Sequence, residues 1–146
     1  MTRIERSVLI NSDIRDLFAY VSDYRYWSDW FEGTSGFRVT SKKERGNGAR
    51  YRYKAWLFGI PAIVETEIYD FVENAGWKGI STRGMPHRTE WIFEPDGDHT
   101  RFTYALEYRI PVPLLGPVLD SLFMKKKWTS IIEKSLSNLK IKFSGA

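Results

Sequence analysis

Thr100-Arg101-Phe102-Thr103-Tyr104-Ala105-Leu106-Glu107-Tyr108-Arg109-Ile110 runs directly into Pro111-Val112-Pro113-Leu114-Leu115-Gly116-Pro117-Val118. The change of rhythm between these two halves decides the fold. Phe102, Tyr104, Leu106, Tyr108 and Ile110 fall on one side, against Arg101, Glu107 and Arg109 on the other. That period of two marks a strand with one dry face. Pro111 and Pro113 stop it, because proline pushes the preceding residue away from helical angles and donates no backbone N–H. Gly116-Pro117 then suits a helix start. From there Val118, Leu119, Leu122, Ile131, Ile132, Leu136, Leu139 and Phe143 recur at three- and four-residue steps, with no Gly or Pro from Val118 to Ser144. Such a segment is an amphipathic helix. At ~1.5 Å per residue it reaches about 40 Å, enough to cross a whole sheet.

Upstream of residue 100 the period of two dominates. Strands are expected over 37–44, 49–58, 62–72, 77–82 and 87–94, followed by 100–110. Gly46-Asn47-Gly48, Asn74-Ala75-Gly76, Gly84-Met85-Pro86 and Asp96-Gly97-Asp98 supply the turns, and Gly59-Ile60-Pro61 is expected to break the ladder. Arg50, Arg52 and Lys54 lie opposite in phase to Tyr51, Tyr53 and Ala55, and Glu65 and Glu67 opposite to Val64, Thr66 and Ile68. The outer face therefore carries cross-strand charge pairs and the inner face apolar groups and hydroxyls. At the front, Ile4, Val8 and Ile10 give an opening strand. Asn11-Ser12-Asp13 caps a short helix through Leu17, Phe18 and Val21, and Trp27 to Phe31 adds a second helical turn. The sum is an α+β, helix-grip fold: a curved antiparallel sheet of about seven strands around a long C-terminal helix, with two short helices after the first strand. Residues 1–146 are expected to form one domain.

Composition narrows the function. The 146 residues include no cysteine and only two histidines, His87 and His99, far apart in sequence. No disulfide, thiolate site or zinc-type cluster is expected, and no cofactor. No Gly-rich phosphate loop or serine elbow is present. The net charge is +4, with the cations spread along strands except at Lys125, Lys126 and Lys127. A nucleic-acid binder concentrates its cations on one face, so that class is not expected. No run approaches the ~20 apolar residues of a membrane span, and no signal-peptide region opens the chain. The expected location is cytoplasmic.

Three stretches carry a family resemblance. Ile4-Glu5-Arg6-Ser7-Val8 through Phe18-Ala19-Tyr20-Val21-Ser22-Asp23 and Trp27 to Trp30 form one, and Tyr104-Ala105-Leu106-Glu107-Tyr108 is another. The last runs from Leu114-Leu115-Gly116-Pro117-Val118-Leu119 to Ser135-Leu136-Ser137-Asn138-Leu139-Lys140. In these the chain resembles the START-like (SRPBCC) superfamily, and within it the polyketide cyclase/dehydrase-type branch. The motifs are loose apolar patterns that mark fold rather than reaction. The resemblance implies a cavity between sheet and helix, as in carriers of lipids and sterols, quinone-binding proteins and aromatic cyclases; it leaves the chemistry open.

Strand phase nominates the cavity wall: Tyr51, Tyr53, Thr66, Ile68, Thr89, Trp91, Tyr104 and Tyr108, joined by Leu115, Leu119 and Leu122 across the mouth. Aromatic residues make up 16% of the chain. Such a set can fill a core, but four tyrosine and two threonine hydroxyls on one inner face each need a partner when buried, at roughly 1–3 kcal/mol apiece otherwise. An apolar wall with a few polar groups is the anatomy of a ligand site. The expected function is binding, and carriage, of a hydrophobic small molecule: a lipid, quinone, isoprenoid or aromatic polyketide-like compound. The alternative is a cyclase or dehydratase with a cavity acid/base drawn from Arg6, Asp70 and His87, the first two as an internal pair. A third is a docking module whose Leu114, Leu115, Lys125, Lys126 and Lys127 meet a membrane or a protein.

Overall fold

A computed structural model describes residues 2–57, 60–109 and 123–145. The chain forms β1 (Thr2–Ile10), α1 (Ile14–Val21), a 3-10 turn (Tyr24–Tyr26) and α2 (Trp27–Trp30). It continues through β2 (Thr34–Val39), β3 (Arg50–Leu57), β4 (Ile60–Val72), β5 (Gly76–Arg83), β6 (His87–Asp96) and β7 (His99–Tyr108), and closes with α3 (Lys125–Lys142). The strands make one seven-stranded antiparallel sheet in the order β1-β7-β6-β5-β4-β3-β2. It is a meander with the first strand returned to the edge of the last. This is the helix-grip fold, with α3 laid on the concave face.

α1 and the 3-10 turn each start where a side chain satisfies the backbone. Asp13 accepts from the Asp16 N–H at 2.8 Å, and Asp23 accepts from the Arg25 N–H at 3.0 Å. Leu17, Phe18 and Val21 of α1 are buried. The Trp27 indole donates to the Val21 carbonyl at 2.6 Å, fixing α2 against α1. Polar residues of α3 complete the clamp: Ser135 Oγ accepts from the Glu32 N–H at 2.9 Å, and the Asn138 amide donates to the Trp30 carbonyl at 3.1 Å. Ile131, Ile132, Leu136 and Leu139 bury the apolar face of α3. Among the described residues no helix is long and apolar enough to cross a membrane.

The outer face pairs its charges across strands as strand phase requires. Arg50 reaches Glu67 at 2.6 Å, Arg3 reaches Glu107 at 2.7 Å and Arg52 reaches Glu65 at 3.4 Å. The Arg3 and Arg50 pairs are solvated and add little each, whereas Arg52–Glu65 is partly buried.

Two boundaries depart from expectation. The strand expected over 37–44 is instead Thr34–Val39. Past it the Ser41 hydroxyl takes the Arg50 N–H at 2.8 Å, and this side-chain bond displaces the ladder. At Gly59-Ile60-Pro61, where a break is expected, the strand pairing persists: Leu57 pairs with Ile60 and Trp56 with Pro61. The Trp56 N–H turns the other way, to the Gly33 carbonyl at 2.8 Å. Pro61, donating nothing, therefore leaves no partner waiting. The α3 start expected near Gly116-Pro117 falls outside the described residues; within them, Phe123–Met124 form a wider π-type turn before Lys125.

Candidate functional site: a cavity between the sheet and the last helix

The inner face is sorted by size along its length. Toward α1, Phe18, Trp77, Phe93 and Phe102 interlock, with Phe18–Phe93 and Phe93–Phe102 ring centroids 5.0 and 4.8 Å apart. Toward the β3–β4 hairpin the inward residues shrink to Ala55, Ala62, Val64 and Thr66. Large rings cannot be replaced by small side chains across a curved sheet without leaving space. The space is a cavity of about 80 Å³. A water needs only ~10–15 Å³ on such a scale, so several would fit.

Its walls are aromatic: Trp27 and Phe31 from the α2 region, Phe37 from β2, Trp91 from β6 and Trp128 from α3. Trp91 is the keystone, stacked on Trp77 at 4.8 Å and edge-on to Tyr104 at 5.2 Å. No Asp, Glu, Lys or Arg stands among the described lining residues.

One wall is polar. Tyr53, Thr66, His87, Thr89 and Tyr104 all line the cavity. His87 Nδ1 lies 2.8 Å from the Met85 carbonyl, which only accepts, so Nδ1 carries the proton. Nε2 is then an acceptor for the Thr66 hydroxyl at 3.3 Å. Burial pushes the His87 pKa below its ordinary value, partly offset by the Met85 carbonyl. The ring is therefore neutral near pH 7 and carries a lone pair. Burial raises the Tyr53 pKa, with the Thr66 hydroxyl pulling the other way. Burial also raises that of Tyr104, and the nearby Tyr53 adds to the effect. Both phenols stay protonated and can donate. The Trp91 indole N–H donates to Thr89 Oγ1 at 3.1 Å. The Trp128 indole N–H is buried and meets no acceptor among the described residues.

Gly79 of β5 permits this grouping. A Cβ there would stand 2.7 Å from Thr89 Oγ1 and 3.0 Å from Thr66 Cγ2, so only glycine lets the two threonines close over the strand.

Of the residues nominated from strand phase, Tyr53, Thr66, Ile68, Thr89, Trp91 and Tyr104 stand on the cavity wall. Tyr51 and Tyr108 do not. Tyr51 packs on Trp27 at 4.8 Å and its hydroxyl donates to the Glu44 carbonyl, so it closes the core beyond the cavity. Burial pushes its pKa up to about 12. Tyr108 is buried against Trp128, with ring centroids 6.3 Å apart. Leu114, Leu115, Leu119 and Leu122 lie outside the described residues.

The internal Arg6–Asp70 pair is corrected. Arg6 reaches around the sheet edge to Glu133 of α3 at 3.1 Å, and its side chain is 44% exposed. Asp70 sits at φ 51° in a register shift between Tyr69 and Val72. That bulge turns it outward, to 67% exposure and a 3.8 Å approach to Lys78. His87 alone of the three faces the cavity. Sequence reasoning missed Trp27, Phe31, Thr34 and Phe37. They come from a four-residue helix, the turn after it and an edge strand, where no period assigns a face; the run of aromatics from Trp27 to Phe31 was the available signal.

The comparisons fit this architecture. The protein-family profile described as "Polyketide cyclase / dehydrase and lipid transport" matches residues 1–143, and the chain belongs to that family. No curated protein matches it in sequence. Among solved structures it is similar to the protein TTHA0849 from Thermus thermophilus, at 19% identity and a TM-score of 0.82, over 99% of this chain and 98% of that one. A START superfamily protein from Mycobacterium smegmatis gives 18% identity and 0.75, over 96% and 97%. The di-domain ARO/CYC BexL from the BE-7585A biosynthetic pathway gives 15% and 0.71, over 96% of this chain and 45% of that one. Likeness at this identity speaks for the fold.

Proposed function

We propose that the chain binds and carries a neutral, planar, largely aromatic molecule in this cavity, of the quinone or aromatic polyketide-like kind. The observation behind the proposal is the one-sided polar wall inside an aromatic, uncharged space. Ring faces favour a flat ligand. Two phenol donors and a histidine lone pair favour a hydroxyl or carbonyl at one end. With no cation among the described lining residues, a fatty-acid carboxylate would be desolvated without a counter-charge, which disfavours it.

The test has two arms. Native mass spectrometry of protein taken from its own cells should show a bound neutral aromatic species. Calorimetry with 2-naphthol and 2-naphthoate should show the neutral compound binding at least about tenfold more tightly, the equivalent of ~1.4 kcal/mol. No co-purifying ligand and no binding of naphthols or quinones would defeat the carrier assignment, and tighter binding of the carboxylate would defeat the argument from charge.

His87 supports a second reading, a cyclase- or dehydratase-type enzyme. Its neutral Nε2 is placed to take a proton from a bound ligand, and Tyr53 and Tyr104 to donate to a developing enolate oxygen. A His87→Gln variant that binds ligand but no longer converts it would support this reading. Equal turnover by the variant would end it.

A further inference from the structure

The outer surface at the cavity end carries a second feature. Trp56 and Ile63 are 43% and 42% exposed on the outer face of the β3–β4 hairpin. Trp56 pairs with Pro61 and Ile63 with Lys54, so one apolar patch is fringed by a cation. The hairpin sequence, Trp56-Leu57-Phe58-Gly59-Ile60-Pro61-Ala62-Ile63, has no charge over eight residues. Gly84 packs against the Ile63 carbonyl, where a Cβ would come within 2.6 Å, and this brings exposed Arg83 beside the patch. Phe123, 56% exposed, precedes Lys125, Lys126 and Lys127 on the helix end that also sends Trp128 into the cavity. Lys54, Arg83, Arg88, Arg109 and the three lysines enter no ion pair among the described residues. Residues 52–64 and 80–89 contain no Asp or Glu at all.

Exposed Trp56 and Ile63 beside Lys54 and Arg83, with the lysine run at the helix end, match one kind of surface. We propose that the cavity end docks on an anionic phospholipid bilayer, with the outer face of the β3–β4 hairpin entering the headgroup region and the lysines lying on it. Tryptophan settles at such interfaces because its ring is apolar and its N–H is polar. Each Lys or Arg at an anionic surface strengthens binding about fivefold. The contact brings the hairpin whose inner residues border the cavity to the bilayer, where an apolar ligand dissolves. It uses no cavity residue and stands whichever ligand the cavity takes.

The experiment is flotation with vesicles of phosphatidylcholine alone and with about a third phosphatidylglycerol, at low and physiological salt. The protein should float with the anionic vesicles only, and less at higher salt. Replacing Lys125, Lys126 and Lys127 with Gln should weaken partition on the order of a hundredfold. Trp56→Ser with Ile63→Ser should weaken it about tenfold or more. Both variants alter exposed residues, and unchanged melting curves and unchanged 2-naphthol titrations without vesicles would show that fold and cavity are intact. No flotation with anionic vesicles, equal flotation with both kinds, or indifference to both variants would overturn the proposal. So would a dimer of the unmodified protein, seen by light scattering without lipid, that Trp56→Ser dissolves.

Discussion

His87 illustrates what burial does to one side chain. Its ring is buried, so the charged form is disfavoured and the pKa lowered, although the Nδ1 hydrogen bond to the Met85 carbonyl works the other way. The unfolded chain has no such restraint and titrates near 6.5. Below that pH the unfolded state takes up a proton that the folded state refuses, so stability falls as pH drops from 6.5 toward the lowered native value. Once the native pKa is passed, this residue adds no further loss. Glu65 and Asp23, held low by hydrogen bonds from Thr82 and Arg25, lose their stabilisation only in the more acidic carboxylate range. Urea unfolding between about pH 7.5 and 5 should therefore show a decline that a His87→Asn variant flattens. An equal decline in both proteins would assign the acid sensitivity to other groups. Ligand binding should weaken only as the pH falls to the lowered native value and below it, where protonation places an unpaired charge inside the cavity.

Elements differ in how firmly their neighbours fix them. β5 lies between β4 and β6, and its Gly79 faces the threonines of both. Gly79→Ala would ordinarily help a strand by lowering the entropy of the unfolded chain. Here the added methyl meets Thr89 Oγ1 at 2.7 Å, so overpacking wins and the variant should lose about 1–3 kcal/mol. The shift would also separate Thr66 from His87, so binding of 2-naphthol should weaken along with the denaturation midpoint. A more stable Gly79→Ala protein would show that the strands part freely. At the sheet's edge, by contrast, β1 is joined to α3 by the exposed Arg6–Glu133 pair, whose ions are solvated and contribute little.

At the scale of the molecule, the sheet and α3 bury aromatic rings at one end and enclose a space at the other. A ligand that enters this space binds only the folded state, so it must raise the melting temperature. At a hundredfold excess over Kd the gain is about 2.7 kcal/mol, several degrees for a chain of this size. Ala62→Phe, at the margin of the cavity, should abolish that rise by occupying the space while leaving the melting temperature without ligand nearly unchanged. A rise that survives Ala62→Phe would mean that the ligand binds elsewhere.

The sequence by itself determined the strand phases, and with them the meander, the closing helix, the charge-paired outer face and six of the cavity residues. Period two and period 3.6 are local properties, and a single dry face per strand needs no knowledge of its neighbours. Tertiary structure alone decided three matters. The bulge before Val72 reversed Asp70, because one unpaired residue flips every following side chain. The taper from Phe and Trp to Ala and Thr along the curved sheet decided that Tyr53 and Tyr104 face a space while Tyr51 and Tyr108 are packed. Docking of α2 and α3 brought Trp27, Phe31 and Trp128 to the wall from segments whose own patterns assign no partner. Volume between elements belongs to no single stretch of chain, so a cavity is read only from how the elements meet.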